Sequence, residues 1–171
     1  MPPTSTTFRI ACSLAVAIAM GGCYGFSGGG GLPPNMNTAF VPPVENQTTR
    51  FTLTERLTQS LLDAVGGKLG LQLAPENEAD LIVTASITRY TDVALNFASR
   101  DQESALVFQR RVTITANVQI FDVERNEIFW SSSSVTGVGE YQPESEPEEV
   151  GEEIAIENLV QKIVDGAQSD W

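Results

Sequence analysis

The chain has no histidine and only two cysteines in 171 residues, and both cysteines, Cys12 and Cys23, lie near its start. Imidazole bases are therefore absent. Beyond residue 23 there is no thiol nucleophile, no disulfide and no zinc site built on His or Cys. An enzyme made from this sequence would need a Ser/Lys pair or carboxylates alone, and no such constellation is found, so neither a catalytic centre nor a cofactor is expected. Basic residues are scarce as well. Ten Lys and Arg stand against 22 Asp and Glu, for a net charge of −12. Nucleic acid is disfavoured as a partner, because phosphate contacts are made by Lys and Arg. Broad adhesion to an anionic membrane is disfavoured for the same reason.

What the sequence does carry is concentrated first around Cys23. One arginine, Arg9, precedes an apolar run from Ile10 to Met20, followed by Gly21-Gly22-Cys23. The run is far shorter than the ~20 residues of a membrane-spanning helix. A charged start, a short apolar stretch and a small-residue cleavage site describe a secretory signal. A cysteine directly after that site predicts a bacterial lipoprotein signal over residues 1–22, with Cys23 taking a diacylglycerol and becoming the new N-terminus. A plain secretory signal with an incidental cysteine is the competing reading. Several acyl chains on one residue would anchor the protein stably, since each buried methylene adds roughly 0.8 kcal/mol. Residues 23–37 read as a lipidated flexible tether rich in Gly and Pro. Gly28 to Gly31 is no phosphate loop, having no Lys-Ser/Thr after it. Tyr24, which is not an aspartate, is compatible with sorting to the outer membrane.

Residues 38–171 are expected to form a single domain. Thr38 to Val44 is a short strand candidate limited by Pro42 and Pro43. Leu53, Leu57, Leu61, Val65 and Leu69 recur every fourth residue and predict a helix over 51–69, capped by Thr52 or Thr54. Its stripe is expected to bury against a sheet. Leu71 to Leu73 is a second short strand. Leu81, Val83, Ala85 and Ile87 alternate with polar residues, a pattern that can extend through Val93, Leu95 and Phe97. Ser99 to Ser104 is a polar turn. In the next strand Phe108, Val112, Ile114, Ala116, Val118 and Ile120 share one face, interrupted by Arg110, while Arg111, Thr113, Thr115, Asn117 and Gln119 share the other. Glu124 to Glu127 makes a hairpin turn into a Ser/Thr-rich strand from Ile128 to Val138. A second helix is predicted over 148–168, and Trp171 is expected to pack on its own domain. The glutamates between Glu140 and Glu157 read as a solvated loop entering that helix rather than as a calcium site. The fold class is α+β: two helices packed on one face of a four- to five-stranded mixed, mostly antiparallel sheet.

Several segments together resemble a known family. They are Cys23-Tyr24-Gly25-Phe26-Ser27, Leu32-Pro33-Pro34, Thr38-Ala39-Phe40-Val41-Pro42, Glu45-Asn46-Gln47-Thr48, the helix beginning Leu53-Thr54-Glu55-Arg56, and Asp80-Leu81-Ile82-Val83 running to Tyr90. The combination resembles the LptE family of lipopolysaccharide-assembly lipoproteins. The resemblance implies a non-enzymatic protein on the periplasmic face of the outer membrane, lipid-anchored through Cys23. It would plug an LptD-like β-barrel and help deliver lipopolysaccharide. A similar strand-helix-strand pattern occurs in the curli secretion lipoprotein CsgG and the synthase activator LpoB, so the alternative is a regulatory or secretion lipoprotein. The short tether favours a partner at the membrane. Candidate lipid or partner contacts are Arg89, Arg100, Arg110, Arg111, Thr113, Thr115 and Gln119, with Lys68 as a further cation; no metal ligands are proposed.

Overall fold

A computed structural model describes residues 33, 35–99 and 105–169. The signal and lipidation site at Cys23, most of the tether, Arg100 and Trp171 lie outside the described residues. Side-chain surroundings are described for neither 96–99 nor 105–108, so the expected inward positions of Phe97 and Phe108 are outside them too.

The chain forms β1 (Thr38–Phe40), β2 (Glu45–Asn46), α1 (Thr52–Gly67), β3 (Gln72–Leu73), a 3₁₀ turn at Glu76–Glu78, β4 (Leu81–Ser99), β5 (Ala105–Asp122), β6 (Glu127–Tyr141) and α2 (Glu148–Ser169). The sheet runs β3-β1-β4-β5-β6, with β2 also paired to β4. The three N-terminal pairings of β1 and β2 are parallel; β4–β5 and β5–β6 are antiparallel. The expected fold class therefore stands; the first predicted strand, Thr38 to Val44, is cut short at Phe40 before Pro42 and Pro43, neither of which can donate to a ladder, and β2 lies just beyond its expected end. Both helices cover one face of the sheet.

The stripes read from the sequence are the core. Leu53, Leu57, Leu61 and Val65 of α1, Leu81, Val83 and Ile87 of β4, Val112, Ile114 and Ile120 of β5, and Leu159, Val160 and Ile163 of α2 are all buried. Each inward side chain removed from water contributes roughly 1.5–3 kcal/mol. The start of α1 departs from expectation. Phe51 occupies the cap position and no side chain caps the helix. Instead the preceding turn is tied by Asn46, whose amide donates to the Arg50 carbonyl at 2.8 Å and whose Oδ1 accepts from the Thr48 amide at 2.9 Å. Thr58, one turn into the helix, accepts the Val44 amide at 3.0 Å and so fixes the approach of the chain. Gly70, at φ +70°, turns the chain out of α1 toward β3, a conformation that costs glycine little.

Asp80 locks the opening of the domain. Its Oδ2 accepts the backbone amides of Asn37 and Thr38 at 2.8 and 2.9 Å, and these bonds hold its carboxyl below the usual carboxylate range. The β5–β6 turn lies at the same end. Asn126 adopts φ 54°, which asparagine tolerates, and Asp122 Oδ1 accepts the Arg125 amide at 3.0 Å.

α2 lies closely on the outer strand β6. A Cβ on Gly137 would stand 2.0 Å from the Ala155 carbonyl oxygen, and one on Gly139 would stand 2.0 Å from that of Gly151. Only hydrogen fits there, so the backbones of strand and helix touch. Farther along, the Trp130 ring fills the space beside Gly166. α2 also shields the strand's margin. Asn158 Nδ2 donates to the Val138 carbonyl and Lys162 Nζ to that of Thr136, both at 2.7 Å. Such capping blunts an edge that would otherwise template another strand.

Candidate functional site

With the helices on one face, the opposite face of the sheet is left uncovered. Residues opposite one another in register point to the same side, so the bare face is a stack of cross-strand rows. From the far end toward the β5–β6 turn these rows are Val93–Arg111–Glu140, Thr91–Thr113–Val138, Arg89–Thr115–Thr136, Ser86–Asn117, Thr84–Gln119–Ser131, and Ile82–Phe121–Ile128. The face therefore grades from charged, through hydroxyl and amide, to apolar. A depression of about 550 Å³ lies over its middle, lined by Pro42, Pro43, Thr84, Ser86, Asn117, Gln119 and Ser131 to Ser133 among others. Its polar groups are neutral apart from Glu45.

A β-bulge decides which residues reach this face. The β4–β5 register shifts between Ile87 and Arg89. Thr88 is the extra residue, and its hydroxyl donates to the Thr115 carbonyl at 3.2 Å. Beyond it the alternation of β4 reverses. Tyr90 and Asp92 turn to the helix side, while Arg89, Thr91 and Val93 join the bare face. The simple continuation of the Leu81–Ile87 face through Val93 and Leu95 is thereby corrected: Val93 is on the uncovered side and 49% exposed.

The sequence-predicted contact residues are divided between the faces. Thr113, Thr115 and Gln119 lie in adjacent rows of the bare face and are half-buried. Arg89 is exposed beside Thr115 and makes no hydrogen bond or ion pair among the described residues. Arg111 is on the same face, but its guanidinium is engaged by Glu140 at 2.6 Å. Arg110, its neighbour in sequence, points to the helix side. Its Nε donates to both oxygens of Asp92 at 3.1 and 3.0 Å, and the Tyr141 hydroxyl donates to Asp92 Oδ2 at 3.0 Å. The Asp92 carboxylate raises the Arg110 pKa; burial, aided by that hydroxyl bond, raises the Tyr141 pKa. Arg110 and Arg111 thus do not form a basic pair: each meets its own carboxylate on its own face. Lys68 is on the helix surface, donating to Gln161 at 2.7 Å.

A second polar cluster closes the helix side near the N-termini of α1 and α2. The Tyr90 hydroxyl donates to Glu148 Oε1 at 2.6 Å, Arg50 pairs with the same carboxylate, and the Arg50 guanidinium lies 5.0 Å from the Tyr90 ring centre. Arg56 reaches the buried Glu152 at 3.2 Å. The Tyr90 bond, with Arg50 adding to it, holds the Glu148 carboxyl below its ordinary value, while burial and Glu148 push the Tyr90 phenol upward. These groups satisfy one another and join helix to sheet. Among the described residues no cluster of His, Cys, Asp and Glu could hold a metal ion, and no helix is long and apolar enough to cross a membrane. Sequence reasoning missed the Asp92–Arg110–Tyr141 group, because the bulge that aligns it leaves no signal beyond Arg110 interrupting an apolar face.

Two helices on one face of a mixed sheet, with the other face open and largely polar, define a small two-layer α+β domain. The chain matches the LptE family, described as lipopolysaccharide-assembly, over residues 36–166, and it belongs to that family. No curated protein matches it. Among the solved structures that are similar, two illustrate the shared fold. Uncharacterized lipoprotein B from Nitrosomonas europaea is 12% identical with a TM-score of 0.53, the match covering 82% of this chain and 87% of that one. The hypothetical protein CT253 from Chlamydia trachomatis is 10% identical with a TM-score of 0.51, covering 77% of this chain and 98% of that one.

Proposed function

We propose that this protein is a non-enzymatic lipoprotein, anchored through Cys23 to the periplasmic face of the outer membrane, that plugs an LptD-like β-barrel and helps insert lipopolysaccharide. The observation that carries the reading is the uncovered sheet face. A plug must be soluble before it meets its barrel and must then match a polar lumen. The rows of Thr113, Thr115, Asn117, Gln119 and Ser131 offer donors and acceptors across one continuous surface, which suits the polar, wet interface that a barrel interior provides. Membership of a lipopolysaccharide-assembly family supports the same reading. Arg89, unengaged on that face, is the best placed of the described cations to meet a phosphate or an acidic lumen residue by a charge-assisted hydrogen bond. Arg111 and Arg110 would first have to leave their carboxylates, and Arg100 lies outside the described residues.

Photocrosslinking side chains placed at Thr113, Thr115 and Gln119 in cells test this. Capture of an outer-membrane barrel protein is expected. Capture of a cell-wall synthase, or of soluble periplasmic proteins only, together with normal surface lipopolysaccharide in a deletion strain, would refute it and favour a regulatory lipoprotein. Cys23→Ser is expected to leave the protein without its thioether-linked lipid, read by intact mass.

A further inference from the structure

The bare face ends in a row that its polar character does not account for. Phe40 of β1 pairs with Ile82 of β4, Ile82 with Phe121 of β5, and Phe121 with Ile128 of β6. Four apolar side chains thus stand abreast across four strands, on the side away from both helices. Phe40, Ile82 and Phe121 are half-buried and Ile128 is 56% exposed. None of them belongs to the helix-side core or packs against it. Isolated apolar residues on a surface need no explanation, but a contiguous row does.

The row sits where the N-terminal chain meets the fold. Asn35 Nδ2 donates to Glu124 at 3.3 Å, three residues beyond Phe121, and Asn37 is bound by Asp80, two residues before Ile82. Eleven residues lie between Cys23 and Asn35, a reach of at most about 40 Å. A lipid on Cys23 would keep this end of the domain close to the membrane. The turn beside the row carries Glu124 and Glu127, and its one cation, Arg125, is paired with Asp122 and Glu127, so this turn does not favour an anionic lipid surface. On its other flank the row continues into the hydroxyl and amide rows. Apolar side chains at the centre of a contact with polar ones beside them are the composition of a protein–protein interface.

We propose that the Phe40–Ile82–Phe121–Ile128 row is the apolar anchor of the barrel contact, docking on aliphatic or aromatic side chains of the barrel protein's inner wall near its membrane-anchored end. The inference rests on the plug reading and assigns its energetic centre to this row rather than to the polar rows.

The test is co-purification of the barrel with the full-length, affinity-tagged protein from detergent-solubilised outer membranes. The variants are Ile128→Asp, the double variant Phe121→Asp/Ile128→Asp, and Ile154→Asp as a control on the exposed side of α2. Recovery of the barrel is expected to fall about fivefold with Ile128→Asp, at a melting temperature equal to wild type, and at least about tenfold with the double variant. Ile154→Asp is expected to recover the barrel fully. Undiminished recovery with Ile128→Asp and with the double variant would overturn the inference and leave the plug reading standing, whereas no barrel with the wild type would remove both. Two further results would overturn it. One is flotation of the unlipidated Cys23→Ser protein with phosphatidylcholine/phosphatidylglycerol vesicles, abolished by Ile128→Asp, which would make the membrane the occupant. The other is a wild-type dimer in size-exclusion chromatography that Ile128→Asp dissociates, which would make it a second copy.

Discussion

The two faces of one sheet are built from the same three long strands and obey different rules. On the helix side, Val112, Ile114 and Ala116 alternate into a dry layer where the Gly137 and Gly139 backbones touch those of Ala155 and Gly151. On the bare side, the intervening residues Arg111, Thr113 and Thr115 stand beside hydroxyls and charges with no layer above them. The covered face determines whether the chain folds, because its contacts are irreplaceable to within a methyl group. The bare face is free to be chosen for a partner, since its side chains cost the monomer little.

That contrast is most severely tested at the glycines. Gly137→Val or Gly139→Val places carbon where a helix carbonyl already stands, and a loss above about 4 kcal/mol is expected, a large part of a small domain's stability; a cooperative melt of either variant at the wild-type temperature would show that α2 can lift from β6 without cost. Next comes Leu61→Ala, on α1, for which chemical denaturation should report about 2–5 kcal/mol. A loss under about 0.5 kcal/mol would place that stripe outside the core.

Acid should act on the covered side as well. Glu148 has a folded pKa below its ordinary value of 4.5, first because Tyr90 donates to it. A depressed carboxyl contributes stability that is present above the ordinary value and lost as pH falls through the folded one. Glu148→Gln should therefore be less stable than wild type near neutrality and lose less of its stability on acidification below 4.5. Thermal melts at a series of pH values would show the two curves converging; parallel curves would mean that the carboxylate contributes nothing. The smallest effect belongs to the bare face. Thr113→Ala and Thr115→Ala should change stability by no more than about 0.5 kcal/mol, while a larger loss would show that the bare face serves the fold itself.

The covered face was largely legible in the sequence because its signal is periodic. Leucine at every fourth position of α1 and alternation in β5 each repeat often enough to be read without knowing the partner element. What escaped depends on register. Gly137 does not stand out in the Ser/Thr-rich strand, and Gly139 lies beyond that strand's expected end at Val138, yet a helix lies upon both. Thr88 carries no mark of a bulge, yet it reverses the facing of Tyr90, Asp92 and Val93. The row from Phe40 to Ile128 takes one residue from each of four strands and has no period at all. The bare face of β5 was visible as alternating polar residues, but its division between neutralised Arg111 and unengaged Arg89 required knowing that Glu140 lies opposite the former.

The group of Asp92, Arg110 and Tyr141 has a thermodynamic consequence. β6 ends at Tyr141, opposite Arg110, while β4 and β5 run on to Ser99 and Ala105 as a pair with no third strand among the described residues. A two-stranded ribbon is marginal in water. A frontier between cooperative and local opening therefore falls inside two uninterrupted strands, pinned by one carboxylate that holds a guanidinium and a phenol. Amide protons of Val83 and Ile87 should be released only by global unfolding, whereas those of Asn96 and Phe97, paired with Gln109 and Val107 beyond the end of β6, should exchange through smaller fluctuations. Asp92→Asn should move that frontier down the sheet.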